Sequence, residues 1–517
     1  MGKTSLKDNN KLSKYELIIL WISAVLTITF VSTCSPLYPF NPWDDANCFF
    51  TIGRGMVKGR ILYKDLFDHK GPLLYFIYAL TALISGRSFI GAWIVECIAA
   101  GVFAVYSWKT VKLFVSPSKN SVLLIPVFIA VVYTSKMFNF GGNAEELCFP
   151  LITIALYKGL KAVVKGDGLP EKADALICGI LAGAIFWVKY TFVGFFAGFC
   201  LFIIVMAIKR KAFLKLWSLI WRFITGLIII TIPVLLYFVF TNSLNYLWKS
   251  YFYDNMAFYL IKGESSNPIT GIPVIENIVV TFYCLINSSL DYPSFGILML
   301  LSVASVFFVD KQHKLKTALL FLGSFLLAAG FVFTRPVYIY YYGYILCYGF
   351  GMAAIPCVKL FVLIEKAAEK NLSRLKAIVL IVPVFAFAFT IFMCKNMYLI
   401  FKPKDFLAQF RMAETINQTE DAKILTYDTM DAGFYTAAGL LPSNRYFGPG
   451  KNLENNFPDI KEQKDRLIEE GYFDYIVTTY FLEPDWDNYE LVQEEADLYI
   501  DYTGEPILDG HKLYKRI

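Results

Sequence analysis

Long apolar runs separated by short polar segments fill the first 400 residues of the chain. Spanning a bilayer core of about 30 Å takes roughly 20 apolar residues in a helix. Runs that reach or approach that length lie at 15–34, 89–113, 122–135, 147–163, 175–188, 191–208, 223–240, 292–309, 317–334, 337–363 and 377–394. The pattern predicts a polytopic α-helical membrane protein with about eleven transmembrane helices. A further apolar stretch, 72–85, opens on a proline and is too brief for a comfortable span, so it is predicted to lie on the outer interface as a short amphipathic or re-entrant helix.

Past Lys395 the pattern changes to that of a soluble protein. Strands are expected at 422–427, 445–447 and 475–480, helices at 432–440 and 460–470, and a hairpin from 498–503 and 511–515. This alternation argues for a small α/β C-terminal domain outside the membrane. The expected division is a multi-pass domain, 1–400, whose first external loop is 35–88, followed by a soluble domain, 401–517. No phosphate-cradling glycine loop occurs in the second part, which argues against a nucleotide ligand there.

Charge sets the orientation. The net charge of +6 conceals +19 over residues 1–404 and −13 over 405–517. With 72–85 kept out of the membrane, 24 Lys and Arg fall in the predicted inside segments and 14 in the outside segments before residue 405. By the positive-inside rule the N-terminus is cytoplasmic and the C-terminus extracytoplasmic, and the basic excess implies no nucleic-acid partner. Lys3, Lys7, Lys11 and Lys14 precede a first apolar run without a convincing cleavage site, so that run is read as a retained helix of a plasma-membrane protein. The ten cysteines show no disulfide or metal-ligand spacing.

Composition then draws attention to one loop. Only 17% of the chain is charged, yet residues 42–76, PWDDANCFFTIGRGMVKGRILYKDLFDHKGPLLYF, gather Asp44, Asp45, Arg54, Lys58, Arg60, Lys64, Asp65, Asp68, His69 and Lys70. From Asp45 through Gly53 to DLFDHKGPLLYF this run resembles the first external loop of bacterial GT-C membrane glycosyltransferases, the group that includes protein O-mannosyltransferases and lipid A aminoarabinose transferases. In that group an acidic catalytic residue follows the first transmembrane helix, and a Lys-Pro-Pro or His-Pro-Pro element starts an interfacial helix. Here the element is Lys70-Gly71-Pro72. The resemblance implies a GT-C-like fold and transfer of a sugar from a polyprenyl-phosphate donor to an envelope glycan, lipid or protein.

Such a transfer needs a base for the acceptor proton and cationic or hydrogen-bonding groups for the departing lipid phosphate. Asp45 is the preferred base, with Asp44 second; the plain structural alternative is that the pair caps a helix starting at Ala46. Glu145 or Glu146, in the second external loop, occupies the place of the family's second acidic residue. For the phosphate the order is Lys70, then Arg54, Lys189 and Arg335, with Tyr338 as a hydrogen-bonding partner. Interfacial snorkelling explains Lys189 and Arg335 about as well, and an aromatic belt explains Tyr338. Glu96, inside a predicted membrane helix, is expected to face the bundle interior. His69 has no second His or Cys at ligand spacing, so it is expected to orient its neighbours, and no metal site is expected. No cofactor is expected, although a divalent cation is left open. The alternative functions are a transporter or flippase, or a polymerase or ligase, of lipid-linked envelope precursors. Unusual charges gathered on one face favour the transferase over a transport path.

Overall fold

The computed structural model describes residues 11–256, 273–331, 349–368, 372–448, 454, 457–500 and 506–517. Arg335 and Tyr338 lie outside them. The first helix, α1 (Lys14–Val31), opens on a reciprocal Ser13–Glu16 capping box, which satisfies amide groups that a helix start leaves unpaired. There follow α2 (Asp44–Val57), α3 (Pro72–Ile84), α4 (Ile90–Phe114), α5 (Ile125–Tyr133), α6 (Ala144–Lys165), α7 (Lys172–Lys189), α8 (Gly194–Lys209) and α9 (Phe213–Phe240). Helices Pro273–Asp291, Pro293–Ala304, Lys311–Gly330, Phe350–Ala368 and Leu372–Met393 complete the bundle. Among the described residues five stretches are long and apolar enough to cross a membrane: Lys14–Val31, Ile90–Phe114, Ala144–Lys165, Lys172–Lys209 and Phe213–Phe240.

Packing fixes which helix ends lie together. The α1 carboxylate Glu16 pairs with Lys112 of α4 at 3.1 Å, while Ser32, just past α1, donates to Glu96 of α4 at 2.7 Å. The two helices are therefore antiparallel, and the Glu96 end also receives the start of α6, because the Gly142 amide donates to Glu96. The stretch Lys172–Lys209 is two helices, since Lys189 is extended at φ −156°, ψ 94°. In α7 and α9, Gly179 lies on Phe223 and Gly183 on Leu227, so these helices run parallel and α8 is the return between them. A Cβ on Gly226 would stand 2.2 Å from the Leu176 carbonyl oxygen, an approach that only glycine permits. Lys189 thereby ends at the same face as Glu96 and Glu145.

Two short helices lie across that face. The 13 residues of α3 begin with Pro72, favoured at a helix's first position, and the Gly71 amide donates to the Val188 carbonyl of α7 at 3.2 Å. Helix α2 packs on α3 with Gly53 against the Tyr78 backbone. Pro273–Asp291, which the apolar pattern did not predict as a helix, is helical and places Val274 and Ile278 on Gly330. Glu276, Asn277 and Asn287 interrupt its apolar run and conceal its period.

The C-terminal part forms a four-stranded sheet, order β1-β2-β4-β3, from β1 (Ile424–Tyr427), β2 (Tyr475–Thr479), β3 (Tyr489–Ile500) and β4 (Pro506–Arg516). Strands β1 and β2 are parallel and the other pairs antiparallel. Residues 445–447 form a turn rather than the expected strand, and the Arg445 carbonyl instead accepts from the Phe67 amide at 3.0 Å. The helix expected at 432–440 shrinks to Phe434–Ala437, and helix Ala408–Ile416 was not foreseen. The hydrophobic core continues from the bundle into this region. Phe40 meets Phe410 with ring centroids 5.2 Å apart, and Phe140 meets Tyr499 at 6.4 Å. The sheet thus sits on the same face as α2 and α3.

Candidate active site

The start of α2 is tied down by asparagines. Asn41 donates to the Gly141 carbonyl at 3.1 Å and Asn47 to the Asn41 carbonyl at 2.8 Å. Trp43 is the N-cap, without a side-chain cap bond, so Asp44 and Asp45 are the first two helical residues and not the cap. Successive helical residues project about 100° apart, and the two carboxylates have different surroundings. Asp45, half-buried, is acted on by Lys70, Asp68, Lys189 and Glu145. Asp44 is acted on by Asp509, His511 and Asp431 of the C-terminal region.

Burial raises the Asp45 carboxyl above its ordinary value, and Asp68 and Glu145 add to this against the pull of Lys70 and Lys189. A carboxylate made more basic in this way suits proton abstraction. Burial, together with Asp509, pushes Asp44 up to about 7.

Opposite Asp45, residues 68–71 are held from several sides. Asp68 accepts from the Tyr75 hydroxyl and from the His69 amide, both at 2.6 Å. Asn255 donates to the His69 carbonyl at 2.7 Å, and the Tyr63 hydroxyl donates to the Lys70 carbonyl. His69 Nδ1 lies 3.0 Å from Asp68 Oδ1, and its Nε2 lies 3.3 Å from Lys70 Nζ. Burial would raise the Asp68 carboxyl, but His69, Lys70 and the Tyr75 hydroxyl outweigh it and hold the group well below the usual carboxylate range. Burial and the Lys70 charge both lower the His69 imidazole, so it is neutral at neutral pH.

The remaining candidates divide. Glu145 and Lys189 form a buried ion pair, which links α6 to the α7 end beside Lys70. Glu146 instead turns to its own helix start, where it accepts from the Asn143 amide at 3.0 Å and contacts Glu96. Glu96 faces inward as expected, held by Ser32 and the Gly142 amide. Arg54 is directed to the C-terminal region, donating to Thr436 at 3.1 Å near Asp431. The structure thus groups Asp45, Lys70, Glu145 and Lys189 and sets Asp44, Arg54 and Glu146 apart. Sequence reasoning did not single out Asp431 or His511, which nothing local marks. Asp68 was noted only as one charge among many, although it directly precedes His69 and Lys70. Among the described residues no three His, Cys, Asp or Glu side chains converge as a metal-ligand set.

By fold and site this is a polytopic helical protein with a charged cluster at one bundle end, roofed by two short helices and a small sheet. Residues 69–237, about a third of the chain, match the family model described as dolichyl-phosphate-mannose-protein mannosyltransferase. Lys70, Glu145, Glu146 and Lys189 lie inside that segment, and Asp44 and Asp45 precede it. The whole chain superimposes on ArnT from Cupriavidus metallidurans bound to undecaprenyl phosphate, with TM-score 0.55, 12% identity and coverage of 98% of this chain and 99% of that one. The apo state of the same protein aligns with TM-score 0.55 and 11% identity over 96% and 97% of the two chains. No curated protein matches in sequence. The chain therefore has a GT-C-like fold and resembles membrane glycosyltransferases of that group.

Proposed function

We propose that the protein is an integral-membrane glycosyltransferase that moves a sugar from a polyprenyl-phosphate donor to an envelope acceptor on the outer face of the plasma membrane. The observation that carries this reading is the convergence of Asp45 with Lys70 and the Glu145–Lys189 pair at one bundle end. The fold is shared with a protein that binds undecaprenyl phosphate. In this reading residues 1–400 form the membrane domain and residues 401–517 an extracytoplasmic domain.

The acceptor hydroxyl attacks the anomeric carbon while the bond from that carbon to the phosphate oxygen breaks. Asp45 takes the hydroxyl proton, and the electron pair of the broken bond stays on the lipid phosphate, where Lys70 meets the added charge. Lys189 adds positive potential, and Glu145 holds it in place. No cofactor enters these steps.

The test is transfer measured on membranes with polyprenyl-phosphate sugars and normalised to folded protein. Asn is nearly isosteric with Asp, and losing the charge in the first turn of α2 costs only about 0.3 to 1 kcal/mol, so Asp45→Asn keeps the fold. It loses transfer by roughly two to four orders of magnitude, the usual worth of a positioned base. Asp44→Asn is milder. Full activity in the Asp44→Asn, Asp45→Asn double variant refutes the reading, and a wild type that moves lipid-linked sugars across the membrane without transferring them indicates a flippase.

A further inference from the structure

The DHK run is more than a charged loop. Its three side chains form a line in which Asp68 is anchored by Tyr75, His69 stands against Asp68 through Nδ1, and Lys70 lies at the opposite ring nitrogen. Asp68 is buried, whereas His69 and Lys70 are half-buried and within electrostatic reach of Asp45. A neutral imidazole has one donor and one acceptor nitrogen. With Asp68 ionised, the proton belongs on Nδ1, which leaves Nε2 to accept from the Lys70 ammonium. Lysine is a point charge on a flexible four-carbon stem, so an acceptor at its tip is what gives that charge a fixed place.

We propose that His69 is a positioning residue whose neutral imidazole, oriented by Asp68, holds the Lys70 ammonium where a lipid phosphate is received. This rests on the reading of Lys70 as the phosphate-binding group. Protonation of His69 removes the acceptor and sets a second positive charge against Lys70, so Lys70 leaves its place. The charged groups facing His69 are Asp68 and Lys70 on its own loop, Asp45 from α2, and Asp254 from the short helix Asp254–Met256 that follows α9. Lys189 and Glu145 act one step further out, on Asp45.

The experiment is binding of undecaprenyl phosphate in detergent to the full chain between pH 8 and pH 5.5, followed by intrinsic fluorescence. His69→Gln keeps an amide oxygen for Lys70 and carries no titrating group. The second ionisation of the phosphate, near pH 6, and the titration of Asp45 are common to both proteins, so the difference between them is the signal. Wild type is expected to lose more affinity than His69→Gln as pH falls towards the lowered His69 value, approaching about tenfold once the imidazole is protonated, as for loss of one hydrogen bond to a charged group. His69→Ala is expected to bind about tenfold more weakly at pH 8. Thermal unfolding of each variant checks the fold, and the His69→Gln comparison stands alone if His69→Ala does not fold. If Lys70→Ala weakens binding while both His69 variants track wild type at every pH, the positioning role is overturned and the reading of Lys70 stands. If Lys70→Ala binds as wild type, the reading of Lys70 fails and the proposal with it. Tighter wild-type binding than His69→Gln at acid pH also overturns it, since the imidazolium would then be a phosphate ligand itself.

Discussion

At Gly71 the loop of the proposed site touches the membrane bundle, and here the sequence departs from the Lys-Pro-Pro element of the resembling family. A Cβ built on Gly71 stands 2.1 Å from the Trp187 carbonyl oxygen, 2.6 Å from its carbon and 2.7 Å from the Val188 carbonyl oxygen. These are backbone atoms at the end of α7, which is locked to α9 by its glycine contacts, so they cannot give way as a side chain tip would. Restoring an ordinary contact of 3.4 Å needs a movement of about 1.3 Å, and the loop carrying His69 and Lys70 is the part that can move. Overpacking of this kind costs about 1 to 3 kcal/mol, and a misplacement near 1 Å costs about 10²-fold in rate. Gly71→Ala is therefore expected to unfold at lower temperature and to lose about two orders of magnitude in sugar transfer. Gly71→Pro adds the loss of the 3.2 Å hydrogen bond from the Gly71 amide to Val188 and is expected to be worse, although the family resemblance alone would make it look harmless. Transfer rates on membranes, normalised to folded protein and read beside thermal unfolding in detergent, decide the matter. Wild-type turnover and stability in Gly71→Ala would refute the argument that this contact sets the position of Lys70.

Two further outcomes follow from buried charge. Lys189→Ala leaves the Glu145 carboxylate buried and unpaired and is expected to cost about 3 to 5 kcal/mol, whereas Glu145→Gln with Lys189→Met recovers most of that stability without recovering transfer; equal stability of the single and double variants in thermal unfolding would contradict this. At the contact between α2 and the sheet, Asp44 is pushed up to about 7 and Asp431 to about 6, so the folded protein binds extra protons between about pH 4 and these values and loses stability as pH rises through them. His511 is raised as Asp509 outweighs its burial, and its contribution is likewise present at low pH and lost as pH rises through its folded value. Hydrogen exchange in β4, corrected for intrinsic rates, should show stronger protection at pH 5.5 than at pH 8, and Asp44→Asn should reduce the difference.

What was legible in the sequence depended on how far apart the partners lie. Asp45 and Lys70 share one 35-residue polar loop in an otherwise apolar chain, so composition and motif both pointed at them. The division of α7 from α8 was already implied by the two apolar runs separated at Lys189, whereas the packing of α9 on α7 was not. Arg54 looked like a phosphate ligand because it is one of the cations in the charged stretch that holds Asp45, but nine residues of helix carry it about 13 Å along the axis, to Thr436. Its true neighbour lies 382 positions away, which no local pattern reveals. The same holds for Asp431 and His511. Helix Pro273–Asp291 was missed because Glu276, Asn277 and Asn287 break its apolar run, and the turn at 445–447 was mistaken for a strand because three residues carry too little period to decide.

The division of Asp44 from Asp45 gives the site its electrostatic logic. Glu145 and Lys189 balance each other, and Asp68 balances Lys70 across a neutral His69. Once those pairs are counted, Asp45 is the charge left over in the cluster. In the proposed reaction an arriving lipid phosphate draws on Lys70 and brings its own negative charge close to Asp45, and both effects would make that carboxylate more basic at the moment an acceptor hydroxyl is to be deprotonated. Asp44 is less suited to this, because apart from Asp45 its neighbours are Asp509, His511 and Asp431 of the C-terminal region, away from Lys70. Two adjacent aspartates, about 100° apart on one helix turn, can therefore divide the work, with Asp45 facing the chemistry and Asp44 facing the sheet that covers it. In the proposed reaction the C-terminal region then bears on catalysis through α2, because Asp431 and Thr436 hold that helix at Thr51 and Arg54.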